Sequence, residues 1–100
     1  MFDAQDNFPL KSSWFVYIVR CRDGSYYTGI TTDLTRRIAE HNSLAGGAKY
    51  TRPRRPVTLV YWEAASSRAT AAQREHRIKT LPLVGKNRLI AGDPEANKKP

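Results

Sequence analysis

Aromatic and β-branched residues crowd two short runs, "WFVYIVR" at 14–20 and "YYTGIT" at 26–31, and Arg22, Asp23, Gly24 and Ser25 between them have turn chemistry. The pattern predicts a β-hairpin. Its register decides where the tyrosines go, because side chains alternate between faces. A two-residue Asp23-Gly24 turn sets Arg20 opposite Tyr27 and puts Tyr17 and Tyr27 on different faces. A three-residue Arg22-Asp23-Gly24 loop, with Gly24 left-handed, sets Val19 opposite Tyr27 and Tyr17 opposite Gly29. The second register gathers Trp14, Val16, Ile18, Tyr26, Thr28 and Ile30 on one largely apolar face and leaves Phe15, Tyr17, Val19, Tyr27 and Gly29 on the other. It sorts the side chains better and is preferred, although the pattern alone does not exclude the first. In it, Gly29 leaves open space beside the Tyr17 phenol.

Beyond the hairpin the period changes. Thr32 or Asp33 can cap a helix to about Asn42 or Leu44, with Leu34 and Ile38 on one stripe and Gly46-Gly47 ending it. "GGAKYTRPRRP" reads as a loop, residues 57–63 as a third strand, and Ser66 or Ser67 as the cap of a helix from Arg68 to about Leu81. Pro82 ends or kinks that helix, and residues 83–91 suit another short one. Residues 1–13 read as a flexible N-terminal arm, 14–91 as one domain and 92–100 as a polar tail, with no internal repeats. The order β-β-α-β-α, with a final short helix, predicts an α+β fold in which a small antiparallel sheet is flanked by helices.

Composition narrows the class. A chain of 100 residues has one modest core, and 40% hydrophobic residues argue against a disordered chain. Seventeen Lys and Arg against nine Asp and Glu give +8, with a pI near 10.1. Such a surplus suits a polyphosphate partner, the alternative being a protein basic for solubility. The single cysteine, Cys21, excludes an internal disulfide and points to a reducing compartment. No apolar run approaches the ~20 residues that span a bilayer, and the first 13 residues lack a signal-peptide core, so a cytoplasmic protein is expected.

Some charged positions do not look like plain surface. Arg37 and His41 are four apart on the first helix, beside the apolar stripe; they read either as a solvated cation and a half-buried histidine or as functional groups. Glu75 falls inside the stripe of Ala71, Ala72 and Ile78, where a carboxylate needs a cation or metal partner; the alternative pairs it with Lys79 on the surface. In the basic loop, Lys49, Arg52, Arg54 and Arg55 surround Tyr50, a combination that suits single-stranded or distorted nucleic acid or, more simply, a solvated loop. Cys21, His41 and His76 have no finger-like spacing, which makes zinc a poor fit.

Tyr17, then Tyr27-Thr28-Gly29, then "LTRRIAEH", then one glutamate on a later helix together resemble the GIY-YIG nuclease superfamily, with "VYI" in place of GIY and "YTG" in place of YIG. "GGAKYTRPRRPVTLVYWE" looks like its small stand-alone bacterial branch, and the likeness spans residues 14–91. The resemblance implies a three-stranded antiparallel sheet flanked by helices and divalent-metal-dependent phosphodiester cleavage in DNA. It also implies that Tyr17 and Tyr27 are the motif tyrosines, Arg37 and His41 the helix residues of the site, and Glu75 the carboxylate that binds Mg²⁺ or Mn²⁺. Two departures are the bulky Val16 beside the first motif and Pro82, which interrupts a basic helix and so bears on a DNA-binding face near Lys86 and Arg88. The expected chemistry has Tyr17 as base, its phenolate favoured by the Arg37 guanidinium, and Arg37 holding the phosphate. The expected substrate is single-stranded, branched or damaged DNA in repair or recombination, cut by a monomer away from membranes. The main rival is a non-catalytic nucleic-acid-binding module on the same scaffold; a protein-interaction adaptor is a third reading.

Overall fold

In the computed structural model, which describes residues 14–92, β1 (Trp14–Arg20) and β2 (Tyr26–Thr31) pair antiparallel in the preferred register. Val19 lies opposite Tyr27 and Tyr17 opposite Gly29. The loop is the three-residue one: Gly24 has φ 87°, its N–H bonds Cys21 O at 2.9 Å, and Cys21 N–H bonds Ser25 O at 2.8 Å. The expected N-terminal arm and nearly all of the polar tail lie outside the described residues.

The remaining elements are α1 (Leu34–His41), β3 (Thr58–Ala65), α2 (Arg68–Lys79) and α3 (Leu83–Ile90), with one 3₁₀ turn at Arg52–Arg54. The sheet order is β2-β1-β3, all antiparallel, so the α+β architecture expected from the pattern is the observed one. Asp33 caps α1 by accepting from Arg36 N–H at 3.0 Å, and Ser67 caps α2 by accepting from Thr70 N–H at 3.1 Å. α1 stops at His41 because Asn42 turns away to form two bonds with the Val57 backbone, accepting at 2.7 Å and donating at 3.0 Å. That pair closes the long loop 43–56. Pro82 separates α2 from α3, and its carbonyl accepts the first helical bond of α3 from Lys86 at 3.0 Å.

Both faces of the sheet are covered, which places the site in a second core. Val16 and Ile18 pack with Ala71 and Ile78 of α2 and Leu89 of α3. On the other face Tyr17, Val19, Cys21 and Val57 pack with Leu34 and Ile38 of α1. An irregularity in β1–β3 pairing between Ile18 and Val19 breaks strict alternation. It lets Val60 and Tyr61 both pack on the α2 side, while Leu59 packs with the Tyr17 core.

Candidate active site

Tyr17 is 1% exposed at the centre of the middle strand. The space that Gly29 leaves is not open: the phenol ring itself fills it, so that a Cβ at Gly29 would lie 2.6 Å from the Tyr17 hydroxyl. The hydroxyl is thereby aimed at α1, where His41 Nε2 is 2.8 Å away. His41 is completely buried as the last residue of α1. Its other nitrogen, Nδ1, is 2.8 Å from Thr51 Oγ1, which is itself fully buried.

The direction of this chain follows from what each group can donate. Thr51 Oγ1 donates to Ala48 O at 3.1 Å and so accepts from His41 Nδ1, which carries the imidazole proton. Nε2 is then the acceptor, and the Tyr17 hydroxyl donates to it. Every donor in the chain has an acceptor under this assignment.

Burial pushes the Tyr17 phenol up to about 12; Arg37 acts against this, while Tyr27 and Glu75 add to it. Arg37 acts in the expected direction, but desolvation outweighs it. His41 is pushed down to about 4, first by burial and then by the Arg37 charge, so the imidazole is neutral at physiological pH and can accept the phenol's proton. Arg37 is also held at 2.8 Å by Glu40.

Glu75 is partly buried and ion-paired. Its side chain is 21% exposed and near enough to raise the Tyr17 pKa, yet its carboxylate is 3.0 Å from Lys79 Nζ. Among the described residues no three His, Cys, Asp or Glu side chains group together to hold a metal. A single carboxylate fits a hard cation completed by water and phosphate oxygens, as Mg²⁺ sites commonly are. It does not fit an all-protein cage.

Tyr27 joins the cluster from β2, its ring centroid 5.4 Å from that of His41. On its other side it stacks with Tyr50, centroids 6.1 Å and planes 20° apart, and Arg54 lies 3.9 Å over Tyr50. The basic loop thus divides. Arg54 braces it through Asp23 at 3.1 Å and Tyr50 O at 2.7 Å, and Arg55 through Ser43 O, whereas Lys49 and Arg52 are exposed. Thr51 is the residue that sequence reasoning missed. Nothing in "KYTRP" distinguishes a fully buried threonine from a loop one, since only the folded loop brings it under α1. α3 does form beyond Pro82, and Lys86 sits half-buried on it beside the β2 edge. His76 is exposed and outside the site.

The three-stranded sheet carries a buried phenol–imidazole pair, and the model of the GIY-YIG catalytic domain matches residues 13–85. The chain belongs to the GIY-YIG nuclease superfamily. Within it, several similar proteins bear the name UPF0213. One from Desulfotalea psychrophila is 56% identical over 80% of this chain and 73% of its own length, and one from Halobacterium salinarum 54% identical over 75% and 96%. The solution structure of a UPF0213 protein from Bacillus halodurans is 44% identical over 86% of this chain and 94% of its own, with a TM-score of 0.51. A second solution structure, from E. faecalis, is 38% identical over 82% and 86%, with a TM-score of 0.56. No helix among the described residues is long and apolar enough to cross a membrane.

Proposed function

We propose that this protein is a divalent-metal-dependent endonuclease that hydrolyses phosphodiester bonds in single-stranded, branched or damaged DNA, in repair or recombination. The observation that carries the reading is the buried Tyr17–His41 hydrogen bond of 2.8 Å, with the Arg37 charge lowering the pKa of the same phenol. A plain binding module has no use for a neutral imidazole aligned on a phenol whose ionisation burial disfavours.

Hydrolysis needs a proton taken from water and charge stabilised on the phosphate. The Tyr17 oxygen accepts the water's proton while its own passes to His41 Nε2, so no free phenolate has to form. Arg37 holds the phosphate, and the arriving negative charge offsets the guanidinium charge that depresses His41. Tyr27 orders the same cluster. Glu75 would hold the divalent cation, Mg²⁺ or Mn²⁺, which when bound supplies Lewis-acid stabilisation to phosphate oxygens. Lys49, Tyr50 and Arg52 meet the strand, with Arg54 and Arg55 holding their loop in shape.

The test is cleavage of labelled single-stranded, duplex, flap and branched DNA with Mg²⁺ or Mn²⁺. Metal-dependent products with the wild type, absent with Glu75→Ala and Tyr17→Phe, are expected. Equal, salt-sensitive binding by all three proteins with no product would replace the nuclease with a binding module.

A further inference from the structure

A cleft of about 290 Å³ opens at the edge of β2, outside the Tyr17–His41–Thr51 chain, and is lined by Tyr26, Tyr27, Thr28, Tyr50, Lys79 and Lys86. Among the described residues β2 is an edge strand, so the cleft follows backbone with no described strand beside it. Its walls differ in chemistry. On the α1 side stands the Tyr27–Tyr50 stack, stiffened by Arg54. On the side of α2 and α3 stand two ammonium groups, Lys79 and Lys86. Lys79 is shared with Glu75 at 3.0 Å, whereas Lys86 has no ion pair among the described residues and lines the cleft half-buried.

We infer that this cleft is a one-nucleotide subsite for a single-stranded polynucleotide: the nucleoside lies against the aromatic wall and its phosphate is held by Lys86 and Lys79. An aromatic wall facing paired ammonium groups is the arrangement that grips a single strand without reading its sequence. The size selects the strand. The volume lies at the small end of ligand clefts and accommodates one nucleotide, whereas a base pair with two backbones does not enter. Tyr27 belongs both to this cleft and to the His41 cluster, so a strand seated here continues toward Tyr17. The inference rests on the nuclease reading for that direction only; binding in the cleft needs no chemistry.

The test is fluorescence anisotropy of the full chain with fluorescein-labelled oligothymidylate, alone or annealed to oligoadenylate, titrated over a range of salt without divalent metal. Lys86→Ala should weaken binding and lower the log–log salt slope by about 0.7, the value of one phosphate contact on a single strand. Arg77→Ala, an equal loss of charge on the exposed side of α2, should change the slope less. Tyr50→Ala should weaken binding about tenfold, Tyr50→Phe should restore it, and the duplex should bind about tenfold more weakly than the single strand. A Lys86→Ala slope equal to that of Arg77→Ala, or a duplex bound as tightly as the single strand, overturns the subsite. Because Tyr50→Phe and Lys86→Ala change only exposed or half-exposed atoms, misfolding does not mask either result. Metal-dependent cleavage by a protein that fails these tests removes the cleft and leaves the nuclease. Cleft-dependent binding without cleavage does the reverse.

Discussion

Gly29 and Tyr17 are cross-strand partners, and the Tyr17 ring occupies the volume that a side chain at Gly29 would need: a Cβ there would meet the hydroxyl at 2.6 Å and Cζ at 2.8 Å. The glycine is required by this close approach, since its φ is not in the left-handed region. Gly29→Ala should displace the phenol from His41, lower stability by about 1–3 kcal/mol as overpacking does, and remove cleavage. Urea unfolding and a cleavage assay measure the two effects. Wild-type values for both would show that Gly29 does not set the phenol's position.

Tyr17→Phe keeps the ring and removes the hydroxyl that bonds His41 Nε2. The buried imidazole nitrogen is left unpaired, at a cost of about 1–3 kcal/mol. Cleavage should fall by a factor of about 100 or more, the usual contribution of a general base, while single-strand binding stays near that of the wild type.

The pH dependence of stability follows from His41. Its folded pKa is near 4, below its ordinary value of 6.5, so between these values the unfolded chain binds the proton that the fold refuses. The contribution is fully present above about pH 6.5 and is lost as pH falls toward 4, amounting to about 3 kcal/mol for a shift of this size. Urea unfolding at several pH values should show this loss of stability. NMR titration of the His41 ring should show a neutral, Nδ1-protonated imidazole at pH 6; a ring titrating near 6.5 would contradict the burial argument.

Thr51 positions His41 without reaching solvent, and so without reaching DNA. Thr51→Val removes the acceptor of Nδ1–H and should lower kcat about a hundredfold with KM unchanged, while Thr51→Ser should restore it. The ring NMR signals separate this role from a merely structural one: Thr51→Val should alter the Nδ1–H signal, and Thr51→Ser should retain it.

Glu75→Gln should abolish Mn²⁺ binding, read by electron paramagnetic resonance, and with it cleavage. Stability should change by less than about 1 kcal/mol, because Lys79, the partner of Glu75 in the last turn of α2, is about half exposed and such pairs contribute little. Mn²⁺ bound as tightly by the variant would place the metal elsewhere.

Local chemistry determined much of this protein before any tertiary contact. The break at Pro82 is legible in the sequence, as are a glycine turn whose three-residue form and register are preferred over one alternative and caps narrowed to Thr32 or Asp33 and to Ser66 or Ser67; the structure selects Asp33 and Ser67. The spacing of Tyr17, Tyr27, Arg37, His41 and Glu75 likewise marked the family. Alternation failed where pairing was irregular: a period of two cannot send both Val60 and Tyr61 to one face, and the β1–β3 irregularity does so. Three features were decided only by tertiary structure, because each depends on groups far apart in sequence. Burial, more than the adjacent guanidinium, sets the protonation of Tyr17. The closed loop 43–56 buries Thr51 under His41 and uses Arg54 and Arg55 as braces. The β2 edge brings Tyr50, Lys79 and Lys86 around one cleft, since electrostatics and packing act through space and not along the chain.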